Sequence, residues 1–338
     1  MNATNIPTQS RVAITGASGL LGGNLAILLR EAGHEVVCTK RPSSRIEHLG
    51  AFDLQWVPAD IGDTDALTKA FEGCDIVYHC AASTSIRKDV LPVHTQANIN
   101  GTRNVVEAVR SASVRRLVHT SSVVATAIST DGTPVAEEAV WNFPDFGLDD
   151  AYSLTKHQSE EIIREAAAED IDAVIVNPSF MFGPYDAKQS SGRMLIALAK
   201  RKIPGFTDGI SNYVDVRDVA RGMILAAEKG VRGQRYILGN TNLSYQELFR
   251  IVAEIAGVKA ATRALPHSLA KIGGWAGDLK QRITGRDADI NSVTVAYGYC
   301  RGNIYSSEKA RRDLGYETTP IETAIADSLD WFRAQGVL

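Results

Sequence analysis

"RVAITGASGLLG" (residues 11–22) decides how the rest of the chain is read. A short apolar, β-prone run passes without a break into a turn with glycine at 16, 19 and 22. Leu20, Leu21, Leu25, Leu28 and Leu29 then recur at helical spacing over 19–32 as far as Gly33, a C-terminal cap. A strand that turns through glycines straight into a helix lets the backbone approach a pyrophosphate. The free N–H groups and partial positive charge of the helix start face the same point. The turn makes Gly16, Ser18, Gly19, Leu20 and Leu21 candidate phosphate-binding residues.

Outward from that turn, strand-like runs alternate with helical stretches: "EVVCTK" (35–40), "LQWVP" (54–58), "DIVYHC" (75–80), "RRLVHT" (115–120) and "DAVIVN" (172–177). Their apolar character is nearly continuous, as in strands covered by helices on both faces, so the pattern predicts βαβ units in a doubly wound, Rossmann-type α/β fold. After Pro178 the rhythm loosens. Residues 180–193 and 200–212 read as loops, 216–230 as a helix and 233–239 as a strand, and the remainder is mainly helical. The predicted division is a dinucleotide-binding domain over 1–178, with 213–239 returning to it, and a smaller substrate-binding region over 179–212 and 240–338.

The 338 residues are 44% apolar and 22% charged with a net charge of −3, which gives no basic field for nucleic acid. No run approaches the length of a membrane span and the N-terminus lacks the apolar core of a leader, so a cytoplasmic protein without a membrane partner is expected. Cys38, Cys74, Cys80 and Cys300 have no metal-binding spacing; free thiols and no metal site are expected.

Proton chemistry is suggested by "YSLTK" (152–156), because Tyr152 and Lys156 at i and i+4 share one helix face. The pattern is cheap: Tyr305 and Lys309 repeat it in "YSSEK". What distinguishes the first pair is "HTSSVV" (119–124), a strand end that places Ser121 or Ser122 at the same sheet edge as the glycine turn. For the second pair a Ser-capped helix with Lys309 on a solvated face suffices.

The G-x-x-G-x-x-G spacing resembles that of short-chain dehydrogenases/reductases, and the length and C-terminal half resemble their extended subgroup, the NAD-dependent epimerase/dehydratase family. Further matching text is "NPSFMFGP" (177–184) and "YVDVRDVARG" (213–222). The resemblance covers about 11–336 and is similar in detail to dihydroflavonol 4-reductase-like reductases and hopanoid-associated sugar epimerases. It implies a Ser–Tyr–Lys constellation of Ser122, Tyr152 and Lys156, with Lys156 also on the nicotinamide ribose. It further implies Asp60 and Ile61 beside the adenine, Ala81 and Ala82 under the dinucleotide, and cofactor contacts from Asn98, Thr120, Pro178, Phe180 and Met181. Dimerisation through helices 98–112 and 152–168 is implied as well.

Cofactor choice turns on the tip of the second strand, where an acid holds a ribose 2′-hydroxyl and an arginine accommodates a 2′-phosphate. "TKRPSSR" has no acid there, while Arg41 and Arg45 offer charge, so NADP(H) is expected. The expected reaction is reduction of a ketone or aldehyde to an alcohol, or its reverse, with a lysine-acidified Tyr152 moving the proton and Ser122 holding the oxygen. Sugar epimerisation through a transient ketone is the second reading, although "DGISNYVDV" (208–216) lacks the arginine that such enzymes carry for a nucleotide diphosphate. A redox sensor that binds NADPH without turnover is the third. Candidate substrate contacts are Trp141, Phe143, Phe146, Met181, Tyr185, Arg87 and His94.

Overall fold

The computed structural model describes residues 9–87, 90–285, 288 and 290–338. The strands are β1 (Arg11–Thr15), β2 (Glu35–Lys40), β3 (Gln55–Pro58), β4 (Ile76–His79), β5 (Arg116–Thr120), β6 (Ala173–Pro178), β7 (Phe180–Phe182), β8 (Ile210–Asp215), β9 (Arg235–Leu238) and β10 (Thr241–Ser244). Seven of them form one parallel sheet in the order β3-β2-β1-β4-β5-β6-β9. The chain reverses its direction of winding between β1 and β4, and an open sheet of this kind takes its ligand at that crevice.

Helices cover both faces, which explains the unbroken apolar runs. On one face α1 (Leu20–Glu31), α7 (Val216–Lys229) and α11 (Glu308–Leu314) bury Leu25, Leu29, Val219 and Met223 against Val12, Ile14 and Val176. On the other, α2 (Thr64–Phe71), α4 (Gly101–Ser111) and α5 (Ala151–Glu169) bury Leu67, Val105 and Ile163 against Ala13, Val77 and Ile175. The short α3 (Leu91–His94) and a π-helical stretch, Thr95–Asn100, lead into α4, so the helix expected from 98 begins with a wide turn.

The smaller region is not merely helical. It holds a second sheet, β10-β8-β7, on which α6 (Gly192–Ala199), α8 (Tyr245–Ala256) and α12 (Ile321–Ala334) bury Leu195, Leu248, Ile325 and Leu329 around Phe182 and Tyr213. The two expected loops thus contain β7 and the first half of β8, with α6 between them. Residues 213–215 belong to this sheet; of the segment 213–239, α7 and β9 rejoin the large one. A three-residue strand has no periodicity to reveal it; its pairing with β8 makes it one. Helices α9 (His267–Thr284) and α10 (Ser292–Tyr299) complete the region. Among the described residues no helix is long and apolar enough to cross a membrane, and no cluster of metal-ligating side chains occurs.

Candidate active site

The glycine turn closes on the switch point of the sheet. Gly16 has φ +76°, and a Cβ on it would lie 2.6 Å from the amide nitrogen of Ala81 at the end of β4. A Cβ on Gly22 would lie 2.5 Å from the Gly16 carbonyl oxygen. Both positions therefore require glycine, one for conformation and both for close approach. Gly19 precedes α1, whose first turn carries no acid. Ser18 is buried beside it, and Leu20 and Leu21 open the helix. The shape and chemistry of this cradle fit the diphosphate of a dinucleotide.

Around the cradle stand most of the other expected contacts. Ala81 and Ala82 are half-buried, and the amide of Ala81 is tied to Thr15 Oγ1 at 3.3 Å. Asp60 is exposed, its Oδ1 accepting from the Gly62 amide at 2.8 Å, and Ile61 packs on Gly101. Arg41 and Arg45 are exposed after β2. Lys188, from the loop after β7, comes close to Arg41: partial burial and then that guanidinium push its amine below its ordinary value. Sequence reading had no means of joining residues so far apart.

Asn98, an expected cofactor contact, is held in a network of its own. It is buried, with Oδ1 accepting from Ser83 N at 2.7 Å and Nδ2 donating to Ser83 O at 3.1 Å and Thr155 Oγ1 at 3.0 Å. Its amide braces the loop after β4 against α5.

At the far side of the crevice the end of β5 meets the start of α5. Asp150 caps that helix, with Oδ1 accepting from Tyr152 N at 2.9 Å, and its Oδ2 accepts from the Tyr297 hydroxyl at 2.7 Å. The paired serines separate. Ser121 donates to buried Glu160 at 2.6 Å, whereas the Ser122 hydroxyl accepts from the Val124 amide at 3.4 Å. Burial raises the Tyr152 pKa, and the nearby Ser122 hydroxyl works against that rise. Lys156 donates to Thr120 O at 2.6 Å, and burial brings its pKa down to about 8. The lysine that is expected to acidify Tyr152 is held on the strand carbonyl.

Beneath these groups lies a network that sequence reading missed. Glu160, one turn past Lys156, accepts from Asn177 Nδ2 at 2.8 Å, Arg235 at 3.1 Å and Arg164 at 3.0 Å. Its spacing from Tyr152 and Lys156 was the available signal, since all three share a helix face. Buried His119 has no hydrogen-bond partner on either ring nitrogen among the described residues, and burial, with Lys156 and His79 nearby, drives its pKa far down.

The second Tyr–Lys pair has no such surroundings. Tyr305 is buried with its hydroxyl 3.4 Å from Asn303 Oδ1, and Lys309 donates to Gln234 Oε1 at 2.8 Å. Lys309 also lies over the Tyr236 ring, so it is only half in solvent.

A model described as the NAD dependent epimerase/dehydratase family matches residues 12–239. The chain belongs to this family. Among its members, a dihydroflavonol 4-reductase-like protein of Synechocystis sp. is 33% identical over 96% of this chain and 94% of its own. Sterol demethylase protein B of Methylococcus capsulatus is 31% identical over 96% of this chain and 99% of its own. Two crystal structures superpose along nearly the whole length. That of gox2253 has a TM-score of 0.84 at 32% identity, covering 97% of this chain and 99% of that one. That of PA4631, a nucleoside-diphosphate-sugar epimerase from Pseudomonas aeruginosa, has 0.81 at 27% identity with the same coverage.

Several of the substrate candidates have partners within the fold. Phe143 is fully buried, Trp141 donates to Val124 O at 2.9 Å and stacks on His157, and His94 is buried with Nε2 2.8 Å from Ser85 O. Arg87 donates to Gly285 O at 2.7 Å. Tyr185 makes edge contacts with Phe52 and Trp331. Phe146 and Phe180 remain exposed, Met181 is half-buried, and Pro178 ends β6 in the core.

Proposed function

We propose that the chain is an NADP(H)-dependent reductase that converts a ketone or aldehyde to an alcohol. The observation that carries the reading is Lys156, held at 2.6 Å on the Thr120 carbonyl two residues before Ser122, with Tyr152 one turn earlier on the same helix. Gly16, Ser18 and Gly19 would hold the diphosphate, and Thr120, Lys156, Pro178 and Met181 would flank the nicotinamide end. Arg41, Arg45 and Lys188 would take the 2′-phosphate, since a phosphate among three cations gains charge-assisted hydrogen bonds that a hydroxyl does not. Bound there, the dinucleotide supplies the hydride.

The residues of the chain do the rest. A phenol whose pKa is raised by burial keeps its proton at neutral pH, so Tyr152 is suited to donate it to a carbonyl oxygen becoming an alkoxide. Ser122 orients that oxygen and stabilises its developing charge. Lys156, with a pKa of about 8, can return a proton toward the phenolate near neutrality. The name of the Synechocystis relative favours a carbonyl reductase of this kind. The name of the Pseudomonas structure favours epimerisation, against which stands the absence of a basic residue in 208–216.

The test is incubation with NADPH and a panel of aryl ketones, flavanonols, sterol ketones and nucleotide sugars, following nicotinamide absorbance and sugar configuration. Consumption of NADPH is expected. Inversion without consumption would establish the epimerase, and binding without either would leave a sensor. Homodimerisation through α4 and α5, in a soluble cytoplasmic protein, belongs to the same proposal and is checked by light scattering.

A further inference from the structure

Helix α9 carries its apolar stripe on the side away from the protein. Gly274 and Gln281 are its buried residues, Gly277 is pressed against the Ile290 carbonyl, and Asp278 accepts from Ser292 N at 3.0 Å. At 3.6 residues per turn, Leu269, Ile272, Trp275, Leu279 and Ile283 fall within an arc of about 120° on the opposite side. All five are exposed, Trp275 at 67% and Ile283 at 75%. Lys271 and Arg282 border the stripe on one edge and Lys280 on the other, and none of these three forms an ion pair among the described residues. The acid of this helix, Asp278, points inward.

We propose that α9 is an in-plane anchor that docks the protein on an anionic lipid bilayer. An apolar stripe that includes Trp, edged by Lys and Arg, buries its side chains at the acyl boundary while the cations meet lipid phosphates. Charge complementarity favours this occupant over a second copy of the chain. A twofold antiparallel pairing would set the Lys271/Arg282 edge against itself, cation against cation. The expectation of no membrane partner rested on the lack of a spanning segment, which an in-plane helix does not need. Helix α9 packs on α10, whose Tyr297 bonds to the Asp150 cap of the helix bearing Tyr152. Docking would thus place the substrate side of the crevice near the bilayer, whatever reaction occurs there.

The experiment is co-sedimentation of the full chain with vesicles of phosphatidylcholine alone or mixed with phosphatidylglycerol. Binding to the mixed vesicles, weakened by added salt, is expected for the native sequence. Each cation near an anionic surface contributes about fivefold, so Lys271→Glu/Lys280→Glu/Arg282→Glu should weaken binding on the order of a hundredfold or more. Ile272→Ser/Trp275→Ser should abolish it while thermal unfolding is unchanged. Native protein that stays in the supernatant with anionic vesicles overturns the proposal, as does salt-insensitive binding. A native dimer that the Ile272→Ser/Trp275→Ser variant converts to monomer, without vesicle binding by either, would instead make the stripe a self-association surface.

Discussion

Glu160 accepts hydrogen bonds from the Ser121 hydroxyl at 2.6 Å and the guanidinium of Arg235 at 3.1 Å, so the residue next to Ser122 hangs from a buried carboxylate. Asn177 links the same carboxylate to the carbonyl of Ser122 at 2.9 Å. Removing the charge leaves Arg235, which is 10% exposed, short of its counter-ion. Breaking a buried pair from one side costs about 3–5 kcal/mol. Glu160→Gln is therefore expected to lower the unfolding free energy from denaturant titration by about 3–5 kcal/mol and to reduce turnover. Arg164→Ala, on the exposed side of the same acid, should cost about 1 kcal/mol or less. Equal losses in the two variants would show that the carboxylate is not the hub.

Tyr152→Phe keeps the ring that fills the start of α5 and removes only the phenolic hydroxyl. Turnover should fall by about 10²–10⁴, the usual contribution of a positioned proton donor. NADPH binding, followed by fluorescence, should be nearly unchanged. Tyr305→Phe, whose hydroxyl has only the 3.4 Å contact to Asn303, should be mild in both assays. Native rates in the Tyr152 variant would end the assignment.

The large sheet was legible because strands covered on both faces are apolar without interruption, and the glycine turn declared what lies at their ends. Tyr152 and Lys156 stood out from Tyr305 and Lys309 only through their companions at 119–124. What stayed hidden depends on tertiary placement. A buried acid such as Glu160 reads as an ordinary solvated helix residue, and Lys188 comes within the field of Arg41 through the placement of the loop after β7. The stripe of α9 was unreadable for a different reason: an exposed apolar face has the same spacing as a buried one. Trp141 and Phe143, aromatic residues in a loop, likewise gave no sign that they face inward.

Arg41 and Lys188 approach each other closely enough for one to disfavour the charge on the other, a repulsion that a 2′-phosphate between them would relieve. Charge-assisted hydrogen bonds contribute about 1.5–3 kcal/mol each. Arg41→Ala and Lys188→Ala are each expected to weaken NADPH binding by about tenfold or more and to leave NADH affinity within about twofold, by calorimetric titration. Tighter NADH than NADPH binding by the native protein would overturn the preference.

Lys156 supplies a test that needs no substrate. Its ordinary pKa of 10.5 is brought down to about 8 in the folded chain by burial, so the charged amine is disfavoured by folding. Below pH 8 both states are protonated and the burial penalty is fully present. Between pH 8 and 10.5 the unfolded chain holds a proton that the folded one has lost, so this residue makes stability rise with pH across that window. The shift corresponds to at most about 3 kcal/mol. Lys156→Met removes this titration while leaving the other lysines, tyrosines and thiols in place. Unfolding free energies of the cofactor-free proteins, measured from pH 7 to 11, should therefore converge: the advantage of the methionine variant over the native sequence shrinks as pH rises through 8 and beyond. A constant difference over that range would mean that Lys156 titrates normally, and that the buried amine is not the poised proton source on which the return of a proton to Tyr152 depends.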